Sequence, residues 1–312
     1  MAAVAPAEKT FRSFTPAEAS AYAQYRMDYH PTLYNTILAR HTSTGGQLRT
    51  ILDVGCGPGT AVRMLATRFQ QATGLDPSEG MIAGATKIGG TTGSGADITF
   101  VVGSAEELPE VRDASVDLLT AATAAHWFDM PAFWARAAQV LKPGGSVALW
   151  TSGDTAIDDS VPNAAAMQAA LDALRVEHLE PYMLRGNWLV QDLYADLPLP
   201  WGVEPAVAGF HEESFLRQEW GTGAEGALPR DEFFAIGAPE VDMHTLEAVL
   251  GTASPVARWR EANKDKVDTE RDVVRKMRRE VERLLHEGGI EKGKEFIKGG
   301  SSGVLLFVKK VA

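Results

Sequence analysis

The sequence predicts an α/β fold with a doubly wound, mostly parallel sheet and helices on both of its faces. Three observations carry this. Residues 48–150 alternate short apolar runs with helical ones, the pattern of a parallel sheet. Ile51-Leu-Asp-Val-Gly-Cys-Gly-Pro-Gly-Thr60 drives an apolar strand into a three-glycine turn, and a helical pattern follows. Gly303-Val-Leu-Leu-Phe-Val-Lys-Lys310 supplies a last strand.

Taken in order, residues 1–10 read as a disordered lead without the long apolar core of a signal peptide. Residues 11–42 hold one or two helices, one starting at Thr15-Pro16, a cap residue followed by proline at the first helical position. Strands are expected at 50–54, 72–76, 98–102, 116–121 and 146–150, and helices at 60–69, 78–88 and 131–141. Gly89 to Gly95 is a flexible loop. Residues 151–302 read as helical insertions forming a cap, with one strand near 213–220. Helical patterns run over 163–175, 230–250 and 254–287, and 303–312 returns to the sheet. The whole reads as one domain, with the ligand-binding core and its leading helices in 11–150.

Composition excludes several classes of function. A formal net charge of -11 repels a phosphate backbone, so nucleic acid is not an expected partner. No run approaches the ~18 apolar residues of a membrane span. A single cysteine, Cys56, permits no internal disulfide and suits a reducing compartment, so a cytoplasmic location is expected. No His, Cys and carboxylate spacing suggests a metal.

The glycine turn is where chemistry enters. A strand, glycine turn and helix place a ligand at the helix N-terminus. A dinucleotide fingerprint would need glycine or alanine at the place of Thr60. Asp53 precedes the first glycine, and a carboxylate there suits a cation better than a pyrophosphate. S-adenosylmethionine (SAM) carries such a cation and no phosphate. Asp76 stands 23 residues after Asp53, at the end of the second strand, where an acidic side chain accepts ribose hydroxyls.

Three further pieces complete the pattern: Phe100-Val-Val-Gly-Ser-Ala-Glu-Glu-Leu-Pro109, Ser115 to Thr120 leading into Ala124-Ala-His-Trp-Phe-Asp129, and Val140-Leu-Lys-Pro-Gly-Gly-Ser-Val-Ala-Leu-Trp150. With the glycine turn and Asp76 they resemble the class I SAM-dependent methyltransferases. Tyr22-Ala-Gln-Tyr-Arg26 with Tyr29-His-Pro31, Ala125-His-Trp-Phe-Asp129, and Trp259 with Asn263-Lys-Asp-Lys266 narrow the likeness to the trans-aconitate methyltransferase-like group of fungal small-molecule enzymes. The resemblance covers most of 11–150 and is patchier beyond.

It implies a Rossmann-like sheet of seven mostly parallel strands, the last antiparallel, with SAM as cofactor and S-adenosylhomocysteine as product. It implies a cofactor site of Tyr22, Arg26, Asp53, Gly55, Cys56, Gly57, Gly59, Asp76, Pro77, Met81, Ser104, Ala105, Glu106, Thr123 and Ala124. Tyr22 and Arg26 would belong to an N-terminal helix that closes over the cofactor carboxylate. Ser104, Ala105 and Glu106 would read the adenine edge, although many relatives carry Asp where this chain has Ser104. His126 is the candidate general base, its pKa lying near working pH; the other reading is that it orients the loop or touches the cofactor. His126, Trp127, Trp188, Trp201 and Trp259 are the expected acceptor-pocket lining.

The partner is a small-molecule acceptor, and the protein a monomer or homodimer. O-methylation of a carboxylate is the leading expectation, because a carboxylate is ionised at neutral pH and needs no base. S-methylation of a thiol on a fungal secondary metabolite, or a SAM-binding cyclase or interaction protein that does not methylate, are the alternatives.

Overall fold

The computed structural model describes residues 27–237 and 239–311. The expected helix start at Thr15-Pro16, and with it Tyr22 and Arg26, lies outside the described residues.

Among the described residues, eight strands form one sheet. In chain order the elements are α1 (Pro31–Ser43), β1 (Thr50–Val54), α2 (Thr60–Ala66), β2 (Gln71–Asp76), α3 (Glu79–Ile88), β3 (Thr99–Val102), β4 (Val116–Ala122), α4 (Met130–Val140) and β5 (Leu141–Ile157). They continue with α5 (Ala164–His178), α6 (Arg185–Gln191), β6 (Phe210–Trp220), β7 (Glu240–Asp242), α7 (Met243–Gly251), α8 (Ser254–Ala262), α9 (Val273–Glu287) and β8 (Phe296–Lys310). The strand order is β3-β2-β1-β4-β5-β8-β6, with β7 added to the start of β8. β1 to β5 are parallel, while β8 runs antiparallel between β5 and β6.

This is the expected Rossmann-like class, with a difference in detail. The short β7 makes an eighth strand inside a stretch that reads as helix. β5 and β8 are also longer than their apolar runs, pairing on from Trp150↔Leu305 to Ile157↔Gly299. Main-chain pairing carries that hairpin through Ser, Gly and Thr residues that by composition look like loop.

The helix starts follow local chemistry. Ser78 caps α3 by accepting from the Met81 amide, Asp129 caps α4 ahead of Pro131, and Asp272 caps α9. One sheet face buries Ile51, Leu118, Ala148 and Trp150 beneath α1 and α2. The other buries Leu52, Leu119, Val147 and Leu149 beneath α4 and the segment after α6.

The cap has cores of its own. Met167 of α5, Met243 and Leu246 of α7, and Val281 and Leu285 of α9 pack around Ile297. Leu179, Val256, Trp259, Val273 and Met277 form a neighbouring cluster. The long β5–β8 hairpin thus carries the cap beyond the carboxyl ends of the parallel strands. The continuous helix expected over 254–287 is broken between Ala262 and Val273. Its charges pair within it and with α7: Arg260 with Asp272 at 3.0 Å, Arg278 with Glu282 at 2.8 Å, and Arg278 with Glu247 of α7 at 3.0 Å.

Candidate functional site

The carboxyl ends of β1, β2 and β4 meet at the glycine turn. Asp53, second to last in β1, is fully buried. Thr120 of β4 donates to its Oδ1 at 2.6 Å, whereas Oδ2 is buried with no hydrogen-bond partner among the described residues. Burial pushes the Asp53 carboxyl up to about 7; the Thr120 hydroxyl opposes this and the nearby Asp76 charge adds to it. A buried acceptor oxygen with nothing to accept carries a desolvation cost, and a cationic N–H donor would relieve it.

Asp76 ends β2. Its Oδ2 accepts from the Gly57 amide at 2.9 Å and its Oδ1 from the Ser78 amide at 2.9 Å. Gly57 itself has φ +53°, and a side chain there would meet open space. A side chain at Gly55 would instead meet the Ala124 Cβ at 2.5 Å, so Gly55 is where the β1 turn and the β4 loop touch. Gly59 opens α2 in the left-handed region. Cys56 is buried within the turn, and burial first, then the charges of Asp53 and Asp76, push its thiol well up, which leaves it a packed small side chain.

Of the remaining expected cofactor residues, those among the described residues lie at or just after the ends of β2, β3 and β4. Pro77 is half-buried at the end of β2, and Met81 is buried on the first turn of α3. Ser104 Oγ accepts from the Glu107 amide, Ala105 is buried, and Glu106 Oε1 accepts from the Asp129 amide at 3.0 Å, tying the β3 loop to the start of α4. Thr123 adopts φ +49° after β4; its amide donates to the Trp150 carbonyl at 2.7 Å, and its hydroxyl lies 2.9 Å from the Tyr29 hydroxyl. Ala124 is buried against Gly55.

The pocket residues divide. His126 and Trp127 share a short turn after β4, their rings 4.6 Å apart. α6 lies directly on this turn, since a side chain at Gly186 would meet the Trp127 ring at 2.5 Å and the His126 carbonyl at 2.8 Å. Trp188, on α6, is exposed. Trp201 packs edge-on against Phe215 of β6, whose neighbour Leu216 pairs with Phe307 of β8. Trp259 is buried in the cap core beside Val256 and Met277, with Lys266 5.8 Å above its ring.

Thr120 and Tyr194 are contributors that sequence reasoning does not single out. Thr120 stands out only as a hydroxyl in an otherwise apolar strand end, and its bond to Asp53 spans 67 residues. Tyr194 is 1% exposed, with its hydroxyl 2.9 Å from His126 Nδ1. Among the described residues no three metal-ligating side chains gather, and no helix is long and apolar enough to cross a membrane.

A doubly wound sheet with its reversed strand between β5 and β6, and an acidic glycine turn at the carboxyl edge, defines a class I methyltransferase core. Comparison with known proteins agrees. Residues 52–149 match the methyltransferase domain family. A Dictyostelium discoideum protein named as a methyltransferase is 32% identical over 133 residues, 43% of this chain and 46% of that one. A trans-aconitate 2-methyltransferase of Deinococcus radiodurans is 38% identical over 104 residues, 32% of this chain and 36% of that one. A solved structure described as a type II methyltransferase from Anaeromyxobacter dehalogenans overlays with a TM-score of 0.57 at 22% identity, covering 92% of this chain and 97% of that one, a likeness of fold. The chain spans about half the length of the curated relatives it matches. It carries a class I SAM-dependent methyltransferase domain.

Proposed function

We propose that the protein moves a methyl group from SAM to a small molecule, and that the acceptor is a carboxylate. The observation that carries the cofactor assignment is the buried, unpartnered Asp53 Oδ2 beside the open space over Gly57. Asp53 would hold the cofactor's ammonium, Asp76 its ribose hydroxyls, and the turn at Gly57 would let it approach the backbone. Ser104, Ala105 and Glu106 would meet the adenine, and Tyr22 and Arg26 the cofactor's carboxylate. SAM supplies, when bound, a methyl group on a sulfonium that departs as a neutral thioether. The chain's share is therefore orientation and exclusion of water, which the cap on the β5–β8 hairpin supplies.

Two further points favour oxygen over sulfur. A carboxylate needs no proton removed. Relatives with similar sequence over this domain are named as a trans-aconitate 2-methyltransferase and as a malonyl-[acyl-carrier protein] O-methyltransferase, the latter 35% identical over 105 residues. The test is to incubate the protein with methyl-labelled SAM and a panel of carboxylic acids, thiols, phenols and amines, then treat the products with mild alkali. Label released by alkali identifies a methyl ester. Label that transfers and survives moves the assignment to sulfur, nitrogen or an ether oxygen, and no transfer at all would leave a SAM-binding protein of another kind.

A further inference from the structure

Tyr29 and Thr123 meet across 94 positions of the chain, hydroxyl to hydroxyl at 2.9 Å. Thr123 follows β4 at φ +49°, in the left-handed region that a β-branched side chain enters only at a cost in free energy. Its amide donates to the Trp150 carbonyl at 2.7 Å, which ties the backbone down on one side. Tyr29 ties the side chain down on the other. The next residue, Ala124, abuts Gly55. The conformation of Thr123 thus sets how the β4 loop meets the glycine turn.

The Tyr29 ring is fixed by the fold itself. Its backbone pairs with Phe234 in an antiparallel bridge, the His30 amide donating to the Phe233 carbonyl at 2.9 Å and the Ala235 amide to the Asp28 carbonyl at 2.8 Å. The ring stacks on Phe234 at 5.4 Å and stands edge-on to Phe233 at 5.7 Å and to Trp150 at 5.6 Å. Asp28 Oδ1 accepts from the Tyr29 amide and from the Tyr34 hydroxyl, both at 2.7 Å. Trp150 holds both partners, since its carbonyl takes the Thr123 amide and its ring flanks Tyr29. A phenol held in this way presents its hydroxyl at one place, so its bond to Thr123 carries little ordering cost.

We propose that Tyr29 is a positioning residue for the cofactor. It acts through Thr123: the paired hydroxyls hold the left-handed turn, the turn holds Ala124 against Gly55, and the β4 loop meets the cofactor already in shape. This rests on the cofactor reading of the glycine turn, and it adds to that site a residue that stands outside the parallel strands, just ahead of α1. Its loss therefore weakens cofactor binding.

The test is a double-mutant cycle in the full-length protein, read by isothermal titration of S-adenosylhomocysteine, with the melting temperature of each ligand-free protein measured alongside. Tyr29→Phe keeps the ring and removes only its hydroxyl. Thr123→Val keeps the branched shape and removes the other hydroxyl. Each single change should weaken binding about three- to tenfold, the range of one neutral hydrogen bond, and the double variant should bind no more weakly than the weaker single. A hydroxyl with a structural role alone would lower the melting temperature of Tyr29→Phe and leave its affinity at the wild-type value, and that result would overturn the proposal. Additive losses would overturn it too, by marking the two hydroxyls as independent contacts. Should Thr123→Val not fold, Thr123→Gly takes its place, because glycine adopts φ +49° without help. Adding Tyr29→Phe to Thr123→Gly should then leave the affinity unchanged, and a further loss would contradict the role. Failure of the wild type to bind S-adenosylhomocysteine would remove the cofactor reading, and the positioning role with it.

Discussion

Asp53 and Thr120 face each other across β1 and β4, the threonine hydroxyl donating to one carboxylate oxygen at 2.6 Å while the other oxygen is buried without a partner among the described residues. The pair sits where the sheet delivers its strand ends to the glycine turn. A carboxylate half-satisfied from within the fold is prepared to be completed from outside it, by a cation.

The first prediction is a pH dependence. Burial raises the Asp53 carboxyl to about 7. A folded-state value above the unfolded one means that ionisation costs stability, progressively from about pH 4 and in full above about pH 7. The melting-temperature advantage of Asp53→Asn over the ligand-free wild type should therefore grow between pH 5 and pH 8. Affinity for S-adenosylhomocysteine, which keeps the ammonium, should strengthen over pH 6 to 8 in the wild type and stay flat in Asp53→Asn. Parallel pH profiles of the two proteins would contradict the assignment.

His41 sets an opposite dependence. It is buried beneath the sheet, with Nδ1 2.8 Å from the Ser146 hydroxyl and Nε2 2.9 Å from the Gln47 carbonyl. Burial lowers its pKa and the Lys309 charge lowers it further, against the Gln47 carbonyl and Asp117. The folded state refuses a proton that the unfolded chain takes up below its ordinary value of about 6.5, so this contribution is lost as pH falls from there. Thermal unfolding of the wild type should drop more steeply than that of His41→Gln between pH 7 and pH 5.

The glycines of the turn should separate binding from folding. Gly57→Ala puts a methyl group into open space at φ +53°, so it should fold at a cost of about 1–2 kcal/mol and lose cofactor affinity. Gly55→Ala drives a methyl group to within 2.5 Å of the Ala124 Cβ and should lower the melting temperature further. Differential scanning calorimetry ranks the two, and equal melting temperatures would mean that the Gly55–Ala124 contact is slack.

Gly186 should matter to the acceptor and not to the cofactor. Its Cα rests on Trp127 and the His126 carbonyl, so Gly186→Ala must lift α6 off that turn, at about 1–3 kcal/mol. Acceptor KM should rise several-fold while S-adenosylhomocysteine affinity holds. A loss of cofactor affinity instead would place α6 over the cofactor.

Residues 50–150 are legible because their information is local. β1 and β4 are mostly apolar runs, α3 and α4 start at the capping residues Ser78 and Asp129, and the glycines mark the turn. Asp53 and Asp76, at the ends of β1 and β2, are legible as positions from the sequence. Thr120 and Tyr194 are not, because their meaning is a contact with a residue 67 or 68 positions away. β7 hides in a helical pattern because three residues pairing Ile297 and its neighbours need no strand-like composition of their own. For Trp201 and Trp259 the sequence leaves pocket wall and core equally open, because large aromatics suit both; the structure packs Trp201 against Phe215 and Trp259 within the cap core.

The central claim is that Asp53 Oδ2 waits for the cofactor's ammonium. Isothermal titration of S-adenosylhomocysteine into the wild type and Asp53→Asn at pH 8 tests it most directly. The account predicts binding to the wild type and about 10- to 100-fold weaker binding to Asp53→Asn, the worth of a charge-assisted hydrogen bond. Equal affinities, with Asp53→Asn folded, would contradict it.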